Sequence, residues 1–203
     1  MKLGIVTMAT VVLLGSVTAA RATPITFTEQ FTASGSLGGS AFNNVLVTIN
    51  LLGDTSTVIG SAGHFNSDFG TATVIVSGLG AATFTAPQWW ALDNPQGGTG
   101  SSPVAGIADV TLSRSIALTI DPTFATYDLR SSIGPVTGQG LFSFNFSAPT
   151  TSGNLVLTSV AGNTSTFSAT TAVPEPATLT LTILGLAGVV GRHRRRQARR
   201  TSS

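Results

Sequence analysis

The apolar residues of this 203-residue chain recur with a period of two. Val45, Val47, Ile49 and Leu51 alternate with Leu46, Thr48, Asn50 and Leu52. Val110 and Leu112, then Ile116, Leu118 and Ile120, alternate with Thr111, Ser113, Ala117 and Thr119, and Phe142, Phe144 and Phe146 alternate with Ser143, Asn145 and Ser147. Successive side chains of a strand point to opposite faces, so this pattern buries one face and leaves the other to water. Residues 23–173 sustain no 3.6-residue period. Further β-rich runs occupy 26–34, 57–62, 71–77, 82–85, 126–131, 154–160 and 165–170. Clusters of Gly, Pro, Asn, Asp and Ser at 35–39, 53–54, 94–102, 121–122, 134–135, 150–153 and 162–163 separate them. About ten short strands so punctuated predict an all-β fold, an antiparallel β-sandwich of the jelly-roll-like or Ig-like kind, over 23–163. A Ser/Thr-rich last strand and linker follows at 164–173.

Charge is scarce and unevenly placed. Only 9% of residues are charged, against roughly 25% in an ordinary domain. Lys2 and Arg21 open the chain, while Arg192, Arg194, Arg195, Arg196, Arg199 and Arg200 close it. Between them, 23–176 holds two arginines (Arg114 and Arg130) against eight acids, a net −6. The overall positive balance belongs to the ends, and the acidic body excludes nucleic acid as a partner. The chain has no cysteine, so disulfides, thiolate catalysis and zinc–cysteine sites are excluded. Lys2 is the only lysine, which removes Schiff-base chemistry and a P-loop from the body.

The first 22 residues have a cationic start at Lys2, an apolar run over 3–17 and an Ala20-Arg21-Ala22 exit. Ala20 and Ala22 fit the small-residue pattern that signal peptidase reads, which predicts a cleaved signal peptide ending at Ala22. At the other end, Val173-Pro174-Glu175-Pro176 precedes an apolar segment over 177–191 and an arginine-rich tail over 192–203. Two prolines one residue apart block a helix from running upstream through them. As a helix the 15-residue apolar segment reaches about 22 Å, short of a hydrocarbon core of roughly 30 Å. The six arginines hold to the cytoplasmic side, which places the body outside the inner membrane during a transient anchorage by this short transmembrane helix.

Those thirty residues resemble the PEP-CTERM sorting signal of Gram-negative bacteria: a Pro-Glu-Pro motif at 174–176, a short apolar helix and an arginine-rich end, paired with a signal peptide. The resemblance covers 174–203 and its lead-in Val173, and does not reach the body. It implies recognition by an exosortase, cleavage near Pro174–Pro176, and delivery to the cell surface or medium. By association it also implies an extracellular matrix rich in exopolysaccharide.

The body offers little catalytic chemistry. His64 is its only histidine, no G-x-S-x-G elbow accompanies it, and neither a His-based metal site nor a cofactor is expected. Asn66-Ser67-Asp68 and Asp93-Asn94 supply oxygen atoms, but without the spacing of a calcium loop they read as turn formers. Paired carboxylates for a glycan hydrolase need only geometry, and nothing in the spacing of the acids favours them. The cluster 87–94 is more suggestive. Trp89 and Trp90 could pack on sugar faces while Asp93 and Asn94 bind hydroxyls, which would make the body a carbohydrate-binding module. The leading expectation is a non-enzymatic exported surface or matrix protein whose processing partners are signal peptidase and exosortase.

Overall fold

The computed structural model describes residues 23–61, 64–67, 70–93, 102–109 and 114–172. The expected signal peptide at 1–22 and the expected apolar helix at 177–191 lie outside these residues. No helix among the described residues is long and apolar enough to cross a membrane.

Two long strands organise the molecule. β1 (Pro24–Leu37) and β2 (Ser40–Asp54) form one hairpin of fourteen and fifteen residues, turned at Gly38-Gly39. Then follow β3 (Ile59–Ser61), β4 (His64–Asn66), β5 (Ala72–Val76), β6 (Gly80–Thr83), β7 (Gln88–Asp93), β8 (Val104–Asp109) and β9 (Arg114–Ile120). β10 (Ile133–Phe142), β11 (Ser147–Thr150), β12 (Gly153–Val160) and β13 (Thr164–Thr171) complete the set. Their order is β3-β4-β7-β8-β9-β10-β13-β1-β2-β5-β6, with β12 and then β11 branching from β1.

The branch is a fork. Ile25–Gln30 of β1 pair with β13, whereas Ala33–Leu37 pair with β12 on the same side. A register shift between Ser34 and Gly35 turns the strand at this point, and a Cβ at Gly35 would run into the Val156 carbonyl. Two bridges tie the sheet further. Gly70 pairs with Gln88, and Phe84 pairs with Thr150, supported by Thr85 N–H to the Pro149 carbonyl (3.0 Å) and Thr151 N–H to the Thr83 carbonyl (2.8 Å).

The predicted two-sheet sandwich is therefore corrected to a single antiparallel sheet curled like a half-barrel around one core. Strand length is the physical reason. With fourteen residues at about 3.3 Å each, β1 spans roughly 45 Å, enough to serve different neighbours at its two ends without breaking the hydrogen-bond network. The core is aromatic at its centre. Phe167 meets Trp90 at 5.3 Å, Phe124 edge-on at 5.4 Å, Tyr127 at 6.1 Å and Phe27 at 6.4 Å between ring centroids.

The alternation holds on β2, where Val47, Ile49 and Leu51 are buried, and fails where backbone irregularities intervene. In β9 the pairing with β8 passes from Ala117 to Ser115, leaving Ile116 as a bulge. Ile116 is buried as the alternation expects, but from Ala117 onward the pattern is reversed: Ala117 and Thr119 are buried, while Leu118 and Ile120 are only half-buried. The phenylalanine run does not form a strand: β10 ends at Phe142, and Phe144 and Asn145 (φ 56) make the turn into β11. The expected strand at 126–131 does not form: a 3₁₀ turn (Pro122–Thr126), capped by Asp121, ends at its first residue, and bends at 129–131 follow. The expected turn at Gly134-Pro135 lies within β10 at a register shift. Residues 110–113 fall outside the described set. β13, the strand expected within 164–173, is interior, between β10 and β1.

Candidate functional site

Alternation on β1 sends Ile25, Phe27, Glu29, Phe31 and Ala33 inward. Four of these suit a core, and the fifth is a carboxylic acid with 0% exposure. Thr119 Oγ1 lies 2.7 Å from Glu29 Oε1 and 2.7 Å from Ser165 Oγ, which lies 3.2 Å from the Leu118 carbonyl oxygen. The β9 bulge turns Thr119 inward, and alternation on β13 places Ser165 on the inner face with Phe167 and Ala169.

Burial strips water from the Glu29 carboxyl, and the hydrogen bonds of Thr119 and Ser165 offset this only in part, so its pKa is pushed up to about 8. Thr119 Oγ1 donates to Glu29 Oε1, and Ser165 Oγ donates to the Leu118 carbonyl. Glu29 Oε2 has no partner among the described residues, which a neutral acid tolerates far better than a carboxylate. A second buried acid, Asp109, accepts from Gln88 Nε2 at 3.0 Å.

Behind Ser165 the fork opens to the surface. The pairing of β1 with β13 ends at Gln30 and its pairing with β12 begins at Ala33, so Phe31 and Thr32 have no strand partner on that side. A cleft of about 560 Å³ lies there, bounded by residues of β1, β2 and β13, with Phe31 and Ser165 at its floor, and by Ala161 and Gly162 of the 3₁₀ turn Ala161–Asn163. Its wall groups Gln30, Thr32, Asn44, Thr164 and Thr166 are uncharged and polar, and Leu46 adds an apolar wall.

The two tryptophans do not form one platform. Adjacent on β7, they point to opposite faces. Trp90 is 0% exposed, 5.6 Å from Phe27 between ring centroids, and forms part of the core, which corrects its assignment as a sugar contact. Trp89 lies half-buried on the other face, opposite Ala108. Asp93 ends β7 opposite His64 and Val104, and Asn94 falls outside the described residues. Of the expected turn formers, Asn66 ends β4 and Asp68 lies outside the described residues, while the Ser67 hydroxyl between them accepts the Trp90 N–H at 3.0 Å. Among the described residues no group of three His, Cys, Asp or Glu is placed to hold a metal ion.

The cluster of Glu29, Thr119 and Ser165 was not singled out from the sequence. Its signal was present in Phe27-Thr28-Glu29-Gln30-Phe31, where period two puts Glu29 on the phenylalanine face. The Thr119 partner depends on a bulge that leaves no composition signature. Ala20, Ala22, Val173, Pro174, Glu175, Pro176 and the six tail arginines lie outside the described residues.

Comparison with curated proteins and with solved structures finds no match for the chain. A family model does match at residues 172–197, directly after the last strand, and its description is a PEP-CTERM protein-sorting motif. The resemblance seen in the residues is thereby established, and the chain is a carrier of the PEP-CTERM protein-sorting motif.

Proposed function

We infer that this is a non-enzymatic protein of the cell surface or extracellular matrix, exported with a cleavable signal peptide and released from its C-terminal anchor by an exosortase. The sorting motif at 172–197 is the observation that carries this reading. The way the sheet ends supports it. β1 and β13 are neighbours, Ile25 pairs with Thr171, and Ala172 N–H donates to the Pro24 carbonyl at 2.8 Å. Both processing segments thus leave the fold at one place. Thr23, the residue exposed by cleavage after Ala22, is tied down through its carbonyl to Thr55 N–H at 3.0 Å. Every described strand lies between Pro24 and Thr171, so trimming both ends removes none of them. The shifted carboxyl of Glu29 is sealed in the core, which supports a structural role for it over a catalytic one.

Replacing Pro174-Glu175-Pro176 with three alanines tests the route in the native host. The expected result is a longer species retained in the membrane fraction, seen by immunoblot. Unchanged processing and release would remove the exosortase from the reading.

A further inference from the structure

We propose that the cleft at the fork of β1 is a binding site for a neutral polysaccharide, contacted by Gln30, Thr32, Asn44, Thr164 and Thr166 with Leu46 as its apolar wall.

The first support is the state of these groups. The side chains of Thr32, Asn44 and Thr164 make no hydrogen bond within the described protein, and Gln30 uses only its Nε2, donating to Thr48 at 3.2 Å. Polar groups on strand backbones that converge on a concavity while lacking internal partners are preorganised for an external ligand. Leu46 is 45% exposed, which gives the C–H face of a sugar ring an apolar surface to cover.

Backbone strain is the second support. Asn44 holds φ at 52° and Asn163 at 48°, with Gly162 at 64° between Asn163 and Ala161. Asn44 lines the cleft from β2, and Asn163 sits between the lining residues Gly162 and Thr164, so two left-handed turns fix the backbone on both sides of it.

Charge selects among glycans. No charged residue lines the cleft, and the body carries −6 over 23–176. An acidic polysaccharide would meet repulsion and no cation. Arg130 is committed elsewhere, donating to the Val58 carbonyl at 2.7 Å. A long ligand can also continue beyond the cleft. Thr137, Thr166, Gln30 and Thr48 stand in register across four strands on the same outer face, and Ser168, Thr28, Asn50 and Thr73 form the next row.

The test is affinity electrophoresis of the secreted protein in gels containing hydroxyethylcellulose, dextran, galactomannan or alginate. At least one of the three neutral polymers should retard it, and alginate should not. Asn44→Gly removes the side chain while keeping a backbone that glycine adopts freely, so it deletes the contact without endangering the fold. Thr164→Val removes one exposed hydroxyl with little change of shape. Each should weaken retention about fivefold, the loss of one hydrogen bond, with the unfolding midpoint maintained. Trp89→Ala should leave retention unchanged. Indifference to all three neutral polymers overturns the proposal, as does equal retardation by alginate. Retention that survives both cleft substitutions, or that is lost with Trp89→Ala, also overturns it. The outcome is independent of the sorting route, which Pro174-Glu175-Pro176 tests separately.

Discussion

Residues 29 and 30 are neighbours on β1 and obey opposite rules. Glu29 points inward, is fully buried, accepts from Thr119 at Oε1 while Oε2 has no partner among the described residues, and has its pKa pushed up by that burial. Gln30 points outward, shares Thr48 on the next strand, and keeps its remaining amide capacity for solvent or ligand. The same division runs along β13, where Ser165 and Phe167 face the core while Thr164 and Thr166 face out. The polar groups inside are few, coupled and sensitive to protonation. Those outside are many, uncharged and nearly independent. Among the described residues the outer groups around Gln30 are uncharged, while the core encloses two acids, Glu29 and Asp109.

The sharpest way to break that contrast is pH. A group whose folded pKa is raised favours the folded state fully below its unfolded value. That contribution then declines until the folded group also ionises. Between 4.5 and about 8 the unfolded chain releases a proton that folded Glu29 retains. This term falls by about 1.4 kcal/mol per pH unit, about 5 kcal/mol over the window, and is level above it. Glu29→Gln keeps the shape and an oxygen that accepts from Thr119 but cannot ionise. Urea unfolding at pH 5, 6.5 and 8 should show the variant gaining on the wild type with each step. Parallel pH profiles would mean that the inner cluster is not set apart as described.

The next contrast pairs two neighbours on β13. Phe167 has four aromatic ring contacts in the core, so Phe167→Ala should cost about 3–5 kcal/mol. Thr166, one residue away on the outer face, shares one hydrogen bond with Thr137, so Thr166→Ala should cost less than about 1 kcal/mol. Chemical denaturation of the two variants measures both. Comparable losses would imply that the outer face is covered by other parts of the protein.

What could be read from the sequence divides along physical lines. Strand identity was legible on β2, because Val47, Ile49 and Leu51 keep step over an unbroken ladder. The turns at Gly38-Gly39 and Thr151-Ser152 were legible because local backbone geometry selects their residues. The single curled sheet was not legible, since it follows from how far β1 reaches and from the fork at Ser34/Gly35, both properties of pairing rather than composition. One bulged residue, Ile116, turned Thr119 inward and so completed the Glu29 cluster. Trp89 and Trp90 looked like a pair because they are adjacent in sequence, yet adjacency on a strand is what separates them in space. The fork cleft draws on β1, β2 and β13, and no local motif marks such a meeting.

The smallest effect is the most discriminating for the outer face. Thr28 Oγ1 donates to Asn50 Oδ1 at 2.8 Å across β1 and β2, in the row next to Gln30 and Thr48. A double-mutant cycle with Thr28→Ala and Asn50→Ala should return a coupling of about 0.2–1 kcal/mol, the range for a solvated cross-strand pair. Such a value means that the pair exchanges readily with water, so a sugar hydroxyl can replace either partner at little cost. A coupling of 2 kcal/mol or more, on the order expected for desolvated neighbours, would make the row part of the structural framework. The outer face would then resemble the inner one, and the polysaccharide would have to be confined to the cleft, where Thr32, Asn44 and Thr164 form no such pairs.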